Sequence, residues 1–165
     1  MTTSDRVRAA FTEVMATVPT SVTVVTTMDH TGPHGTTVSA FTSLSLSPPM
    51  VLVSLDRRSQ LLARVQETGQ FGVNVLADAQ SCLATTFARK GAGKFDGVSW
   101  HPSDGLPRLA ATAGWLACRL TGLVDGGDHL IALGTVTAAE TGAHAPMTYQ
   151  NRRFGVHLAA DPAAP

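Results

Sequence analysis

Charge of either sign is in short supply. Lys plus Arg number 12 and Asp plus Glu number 12, which leaves no formal net charge, and charged residues make up only 15% of the chain. No basic excess exists to displace counterions from a phosphate backbone, so a nucleic-acid partner is not expected. No apolar run approaches the ~20 residues of a membrane span. The stretch from Met1 to Arg8 is polar and charged, without the apolar centre of a secretion signal. A protein without a membrane partner and with a cytoplasmic location is therefore expected. Cysteine is scarce too: Cys82 and Cys118 stand far apart and form no CxxC. That argues against a disulfide framework and fits small buried hydrophobes better than reactive thiols. The six histidines are scattered without metal-ligand spacing, so no metal is expected.

The common nucleotide and hydrolase motifs are missing as well. No GxGxxG, HExxH or GxSxG occurs. Gly91-Ala92-Gly93-Lys94-Phe95 has a phosphate-loop look but lacks the earlier glycine and the hydroxyl after the lysine. Asp128 and His129 are neighbours in a strand-forming stretch, where adjacent side chains point to opposite faces, so a catalytic pair is not expected there.

What is present is a globular pattern, 44% hydrophobic over 165 residues, long enough for one domain with a sizeable core. Ser4 can cap a helix over residues 5–17, with Val7, Ala10, Phe11, Val14, Met15 and Val18 at helical spacing on one face. Pro19 ends it. A β-branched run from Ser21 to Met28 reads as a strand, followed by turn chemistry over 29–35. Further strands are expected at 36–41, 50–55 and 71–76. Between the last two, Ser59 begins a short helix carrying Leu61, Leu62 and Val65, which Gly69 ends. Asp78 caps another helix containing Leu83 and Phe87, and a Gly-rich loop follows over 90–97. The last third is mostly strand: 115–124, 129–140 and 153–157, with Asp125-Gly126-Gly127-Asp128 joining the first two as a hairpin turn. Phe87 and Trp115 read as core. Many short strands with few helices predict a mainly β fold, a barrel or sandwich with helices packed outside. The alternation of a Rossmann fold is absent. Residues 1–158 read as a single domain and 159–165 as a disordered Ala/Pro tail.

Four segments stand out together. They are Gly35 to Pro49; Val51 to Leu55 with Arg57-Arg58-Ser59; Phe71 to Leu76 with Gln80, Leu83, Ala84, Phe87 to Lys90, Lys94 and Phe95; and Gly127 to Ile131 with Gly134, Pro146 to Tyr149, Arg153 and Phe154. Their order and spacing resemble the short-chain flavin reductase family, over about Val7 to Val156. Within it the resemblance is nearest to the reductase components of two-component flavin monooxygenases. The resemblance implies an FMN-binding split β-barrel of six strands with Greek-key topology, assembled as a homodimer. It implies FMN, or FAD, bound near the dimer interface, NADH or NADPH as hydride donor, and a flavin-dependent monooxygenase as functional partner. Its alternatives are a non-catalytic flavin- or haem-binding split barrel, and an oxidase of a phosphorylated vitamin, for which a sufficiently basic pocket is not evident in the sequence.

The same resemblance places the flavin along Thr37, Ser39, Ala40 and Ser45, with Ser54 on the following strand. Small residues let backbone and hydroxyl donors approach the polar edge of the ring. Ser59, at a helix start, and Arg57, Arg89 and Lys94 are the candidates for the phosphate. Asn74, on an apolar strand, has either a flavin edge or neighbouring backbone for a partner. His129 is the candidate catalytic residue, positioning and polarising the nicotinamide. Tyr149 and Arg153 are carried over to the mouth of the site. FMN against FAD, and NADH against NADPH, stay open at this level.

Overall fold

The structure is a computed structural model and describes residues 2–159. A helix, α1 (Thr3–Thr17), leads into two strands, β1 (Thr20–Ser21) and β2 (Thr23–Asp29). Then come β3 (Gly32–Val38), β4 (Phe41–Leu46), β5 (Pro49–Asp56), α2 (Gln60–Thr68), β6 (Gln70–Val75) and α3 (Ser81–Ala88). The chain continues through β7 (Trp100–Ser103), β8 (Leu106–Leu109), β9 (Gly114–Gly126), β10 (His129–Thr141), β11 (Met147–Gln150) and β12 (Arg153–Val156).

The mainly β expectation holds. The central element is a seven-stranded antiparallel sheet in the order β3-β2-β6-β9-β10-β5-β4. Smaller sheets pair β1-β11-β12 and β7-β8. The sheet is not a closed ladder of six strands: β3 and β4 are its two edges. Sequence reading fused the end of one and the start of the other into a single strand over 36–41. In fact Ser39-Ala40 lies between them and carries the chain from one edge to the other, tied by Ser54 N–H donating to the Ala40 carbonyl at 2.9 Å. The first of these strands also starts earlier than the turn chemistry predicts. Gly35 pairs opposite Thr26, and a Cβ there would sit 2.9 Å from the Phe87 ring, so the missing side chain makes room for α3.

Both faces of the sheet's middle are buried. On one side Val25, Val53, Leu55, Phe71 and Val73 pack with Leu61, Leu62 and Val65 of α2. On the other, Val24, Leu76 and Met147 pack with Ala84 and Phe87 of α3. That double burial explains why β2 is an almost unbroken β-branched run rather than an alternating one. Phe87 and Trp115 are core residues as expected. Gly69 ends α2 in the left-handed conformation, φ 69°, where L side chains are strained.

The helix starts differ from the sequence reading. Thr2, not Ser4, caps α1, through a capping box in which its hydroxyl accepts from Asp5 N–H while Asp5 accepts in return. Asp78 does not begin α3; its carboxylate accepts from Ala79 N–H, and Gln80 holds the cap position. The apolar face of α1 is a larger departure, because no residue of that helix is buried.

Candidate functional site

Where the chain crosses from one edge of the sheet to the other, a groove lies between β3 and β5. It is about 230 Å³ in volume. Thr37, Ser39 and Ala40 line it from one side and Ser54 and Asp56 from the other, with Ser59 and His129, which both adjoin Asp56, at its border. Alternation along β5 sets this up. Val51, Val53 and Leu55 point into the core, so Ser54 and Asp56 face away from it. The plug of α2 into the core directs its first turn to the same place. Ser59 caps α2 without any side-chain hydrogen bond, so its hydroxyl and the first-turn N–H groups of α2 remain available.

The groove opens at Thr36, Asp56 and Ser59 into a larger cleft of about 680 Å³. Its walls are the β2–β3 turn, the start of α2 and the loop after α3. Arg58, Arg64, Arg89, Lys90 and Lys94 line it against one carboxylate, Asp56. Asp56 accepts from the backbone and guanidinium of Arg58, at 2.8 and 2.9 Å, which holds its carboxyl at about 2. Arg64 is held by Asp29, which also accepts from Thr31 and His34. Those contacts, the Thr31 hydroxyl foremost, keep Asp29 ionised well below the usual carboxylate range. Arg89, Lys90 and Lys94 have no carboxylate partner among the described residues. Lys94 donates to the carbonyls of Gly35 and Phe87, fastening the loop to β3, and its partial burial lowers its basicity.

The structure therefore gathers Thr37, Ser39, Ala40, Ser54, Ser59 and His129 around the groove, with Arg89 and Lys94 along the cleft. Thr37 donates its hydroxyl to the Ala84 carbonyl at 2.6 Å, so only its oxygen lone pairs stay free. His129 begins β10 opposite Asp56. Its Nδ1 lies 2.7 Å from the Asp128 carboxylate, a contact that lowers the pKa of Asp128. The pairing argued against above thus exists, because Asp128 belongs to the turn and only His129 to the strand.

The comparisons agree with this arrangement. A family model described as a flavin reductase like domain matches residues 15–156. The chain belongs to the flavin reductase-like family. It is 38% identical over 148 residues to the reductase component of a 4-nitrophenol 4-monooxygenase/4-nitrocatechol 2-monooxygenase from Rhodococcus opacus, covering 90% of this chain and 80% of that one. It is 35% identical over 131 residues to a stachydrine N-demethylase reductase subunit of Rhizobium meliloti, covering 78% of this chain and 57% of that longer one. Among solved structures it is similar to the NADH:FAD oxidoreductase of Streptomyces globisporus C-1027 in complex with NAD and FAD fragments. The TM-score is 0.86 at 35% identity, with 95% of each chain covered.

Other residues carried over by the flavin reductase resemblance lie elsewhere. Asn74 is fully buried: its amide lies 3.2–3.4 Å from the Val24 carbonyl, the Thr26 hydroxyl and the Pro107 carbonyl, and its oxygen accepts from Leu109 N–H at 2.8 Å. Of its two alternatives, backbone is the partner. Arg57 turns to the β9–β10 hairpin, bonding Asp125 and the Gly127 carbonyl, while its backbone N–H donates to the Asp128 carbonyl. It braces the turn that carries His129 instead of facing the cleft. Ser45 sits on the edge strand β4, outside both cavities. Tyr149 and Arg153 belong to the β11–β12 hairpin, where Tyr149 packs on Phe154 at 5.2 Å between ring centroids, again outside both cavities.

Asp56, Arg58 and Arg64 were not read from the sequence. No periodicity marks Arg58, because it lies in the turn between β5 and α2. Nothing local marks Arg64, whose place depends on how α2 lies across β2 and β3.

Proposed function

We propose that the protein is an NAD(P)H-dependent flavin reductase that supplies reduced FMN or FAD to a partner monooxygenase. The observation that carries this reading is the groove itself: a slot between β3 and β5, lined by small residues, bordered by His129 and a helix start, and opening to a cleft lined by unpaired cations. Ser39 and Ala40 lie outside any strand, which leaves backbone as well as a hydroxyl to meet the polar edge of a flat ring. The Ser59 hydroxyl and the first turn of α2 suit a phosphate, and the cations beyond add favourable charge. Flavin bound here accepts a hydride from reduced nicotinamide. His129, oriented through Nδ1 by Asp128, borders the groove and positions the nicotinamide; a proton from the protein is not required for the transfer itself. Half-buried Thr37, Ser54 and Ser59 and exposed Ser39 and Ala40 suit a site that exchanges its flavin readily.

A homodimer belongs to the same reading. The apolar face of α1 stays uncovered: Val7, Phe11 and Val14 are each more than 60% exposed. The helix is tethered at its end, where Gln150 donates to the Thr17 carbonyl at 2.8 Å and Arg152 pairs with Glu13 at 2.5 Å. A helix of about 12–15 residues is marginal on its own in water, so its apolar face needs a cover. Tyr149 and Phe154 expose aromatic surface beside it. A second copy is the cover that also gives Tyr149, Arg153 and Ser45 a route to the site of the other protomer. A cytoplasmic location, where reduced nicotinamide is made, completes the reading; no helix among the described residues is long and apolar enough to cross a membrane.

The test is steady-state oxidation of NADH and NADPH with FMN and FAD. Oxidation that requires both protein and flavin is expected, with His129→Ala raising the KM for the nicotinamide by about tenfold more than it lowers kcat. Flavin binding without oxidation of either nicotinamide would falsify the reading and favour a binding module.

A further inference from the structure

We propose that Arg57 is a positioning residue for the nicotinamide: it clamps the tip of the β9–β10 hairpin so that Asp128 presents His129 at the border of the groove. This rests on the flavin-reductase reading and deepens it. His129 is the first residue of β10 and pairs with Asp56 of β5 on one side and Gly126 of β9 on the other. The turn before it, Gly127-Asp128, stands clear of the core. Val124 to Asp128 are all exposed, and a Cβ on Gly127 would have nothing within 4 Å. Gly127 takes φ 72° beside a second glycine, Gly126, so the backbone at this tip has wide freedom of its own. Yet this turn supplies the carboxylate that meets His129 Nδ1 at 2.7 Å.

Arg57 supplies what packing does not. It follows the last residue of β5, and its backbone N–H donates to the Asp128 carbonyl at 3.1 Å, continuing the β5–β10 pairing one residue past Asp56. Its Nε–H donates to the Gly127 carbonyl at 2.8 Å, and its Nη2 donates to the Asp125 carboxylate. One planar fork thus spans the turn from the end of β9 to the residues just before β10. No other side chain from outside the hairpin bonds residues 124–128 among the described residues. The Asp125 side chain is 85% exposed and that of Arg57 43%, so solvent screens the pair and it adds little to folding stability. What three bonds converging on one turn do fix is direction. They set where the Asp128 carboxylate stands and, through it, the orientation of the His129 ring. Arg57 itself lines neither the groove nor the cleft.

The experiment is steady-state kinetics of Arg57→Ala with the nicotinamide that the parent oxidises, beside a flavin titration and a thermal melt. The KM for the nicotinamide is expected to rise about fivefold with kcat within about twofold of the parent. Flavin affinity should be unchanged, and the melting temperature lower by no more than about 3 °C. Asp125→Ala is expected to raise the same KM by less, because the bonds to Gly127 and Asp128 remain. In Arg57→Ala/His129→Ala the KM is expected to equal that of His129→Ala alone, since the clamp acts only through that ring. An unchanged KM in Arg57→Ala overturns the assignment. So do KM effects that multiply in the double variant, which would mean that Arg57 acts independently of His129. A loss of flavin affinity with the KM unchanged would instead make Arg57 a phosphate contact. Each of these results leaves the reductase reading intact. A parent protein that binds flavin but oxidises no nicotinamide removes that reading and, with it, the assignment.

Discussion

Asn74 illustrates how one side chain can have two uses that only packing distinguishes. Its position on an apolar strand demanded partners, and the structure supplies them from β2 and β8. Asn74→Ala removes the acceptor for Leu109 N–H and leaves that buried donor unpaired, at a cost of about 1–3 kcal/mol. Thermal unfolding should fall by several degrees, about 2–4 °C per kcal/mol for a chain of this size. Flavin affinity of the folded variant should match the parent; a selective loss of flavin binding without loss of stability would return Asn74 to the site. The cysteines make a second contrast. Cys118 is buried, which pushes its thiol up to about 12, whereas Cys82 is exposed on α3. A disulfide reagent should therefore titrate Cys82 alone in the native protein and Cys118 only after unfolding. Residue chemistry was legible in the sequence where it needed only a local argument, as for the small residues at Ser39 and Ala40. It was not legible for Arg57, whose partner Asp125 stands on another hairpin 68 positions away.

At the scale of elements, most strands could be read from β-branched runs, and α2 from its cap, its apolar face and its terminal glycine. The strands β7, β8 and β11 escaped, because each has only four residues, too short to carry a period, and β7 and β8 contain Pro102 and Pro107. The split between β3 and β4, on which the groove depends, escaped as well: Val38-Ser39-Ala40-Phe41 looks like continuous strand until the sheet curls. Glycine marks the tightest packing. Gly134 faces the ring of Phe71, where a Cβ would approach Cζ to 2.5 Å, at an irregularity in the β9–β10 ladder. Gly134→Ala should cost about 1–3 kcal/mol by overpacking, visible as a lower denaturation midpoint with an unchanged slope. The β2–β3 hairpin is tied by ionised Asp29. Because its folded pKa lies below the unfolded value, its stabilisation is complete above pH ~4 and drains away as pH falls through that value and beyond. Asp29→Asn should flatten the acid limb of the stability profile; an unchanged limb would mean that the carboxylate contributes nothing to folding.

At the scale of the whole molecule, the crossing from β3 to β4 shapes the candidate site, and the apolar face of α1 stays uncovered. On the homodimer reading proposed above, Phe11→Asp, which places a charge in the middle of that apolar face, should give monomers in sedimentation, with loss of turnover if residues of a second copy complete the site. A parent protein that sediments as a monomer at micromolar concentration would remove the dimer from the account. The resemblance to flavin reductases was legible from four segments in order, and the family match bears it out. The curl that joins groove to cleft was not, since it depends on contacts among strands distant in sequence. The most direct test of the central claim is an anaerobic single turnover. Protein loaded with FAD is mixed with NADH and the flavin absorbance is followed. Loss of the oxidised flavin band, faster than with free FAD and slowed by His129→Ala, is the result expected. A band that persists while FAD stays bound would contradict the claim that this groove brings nicotinamide and flavin together.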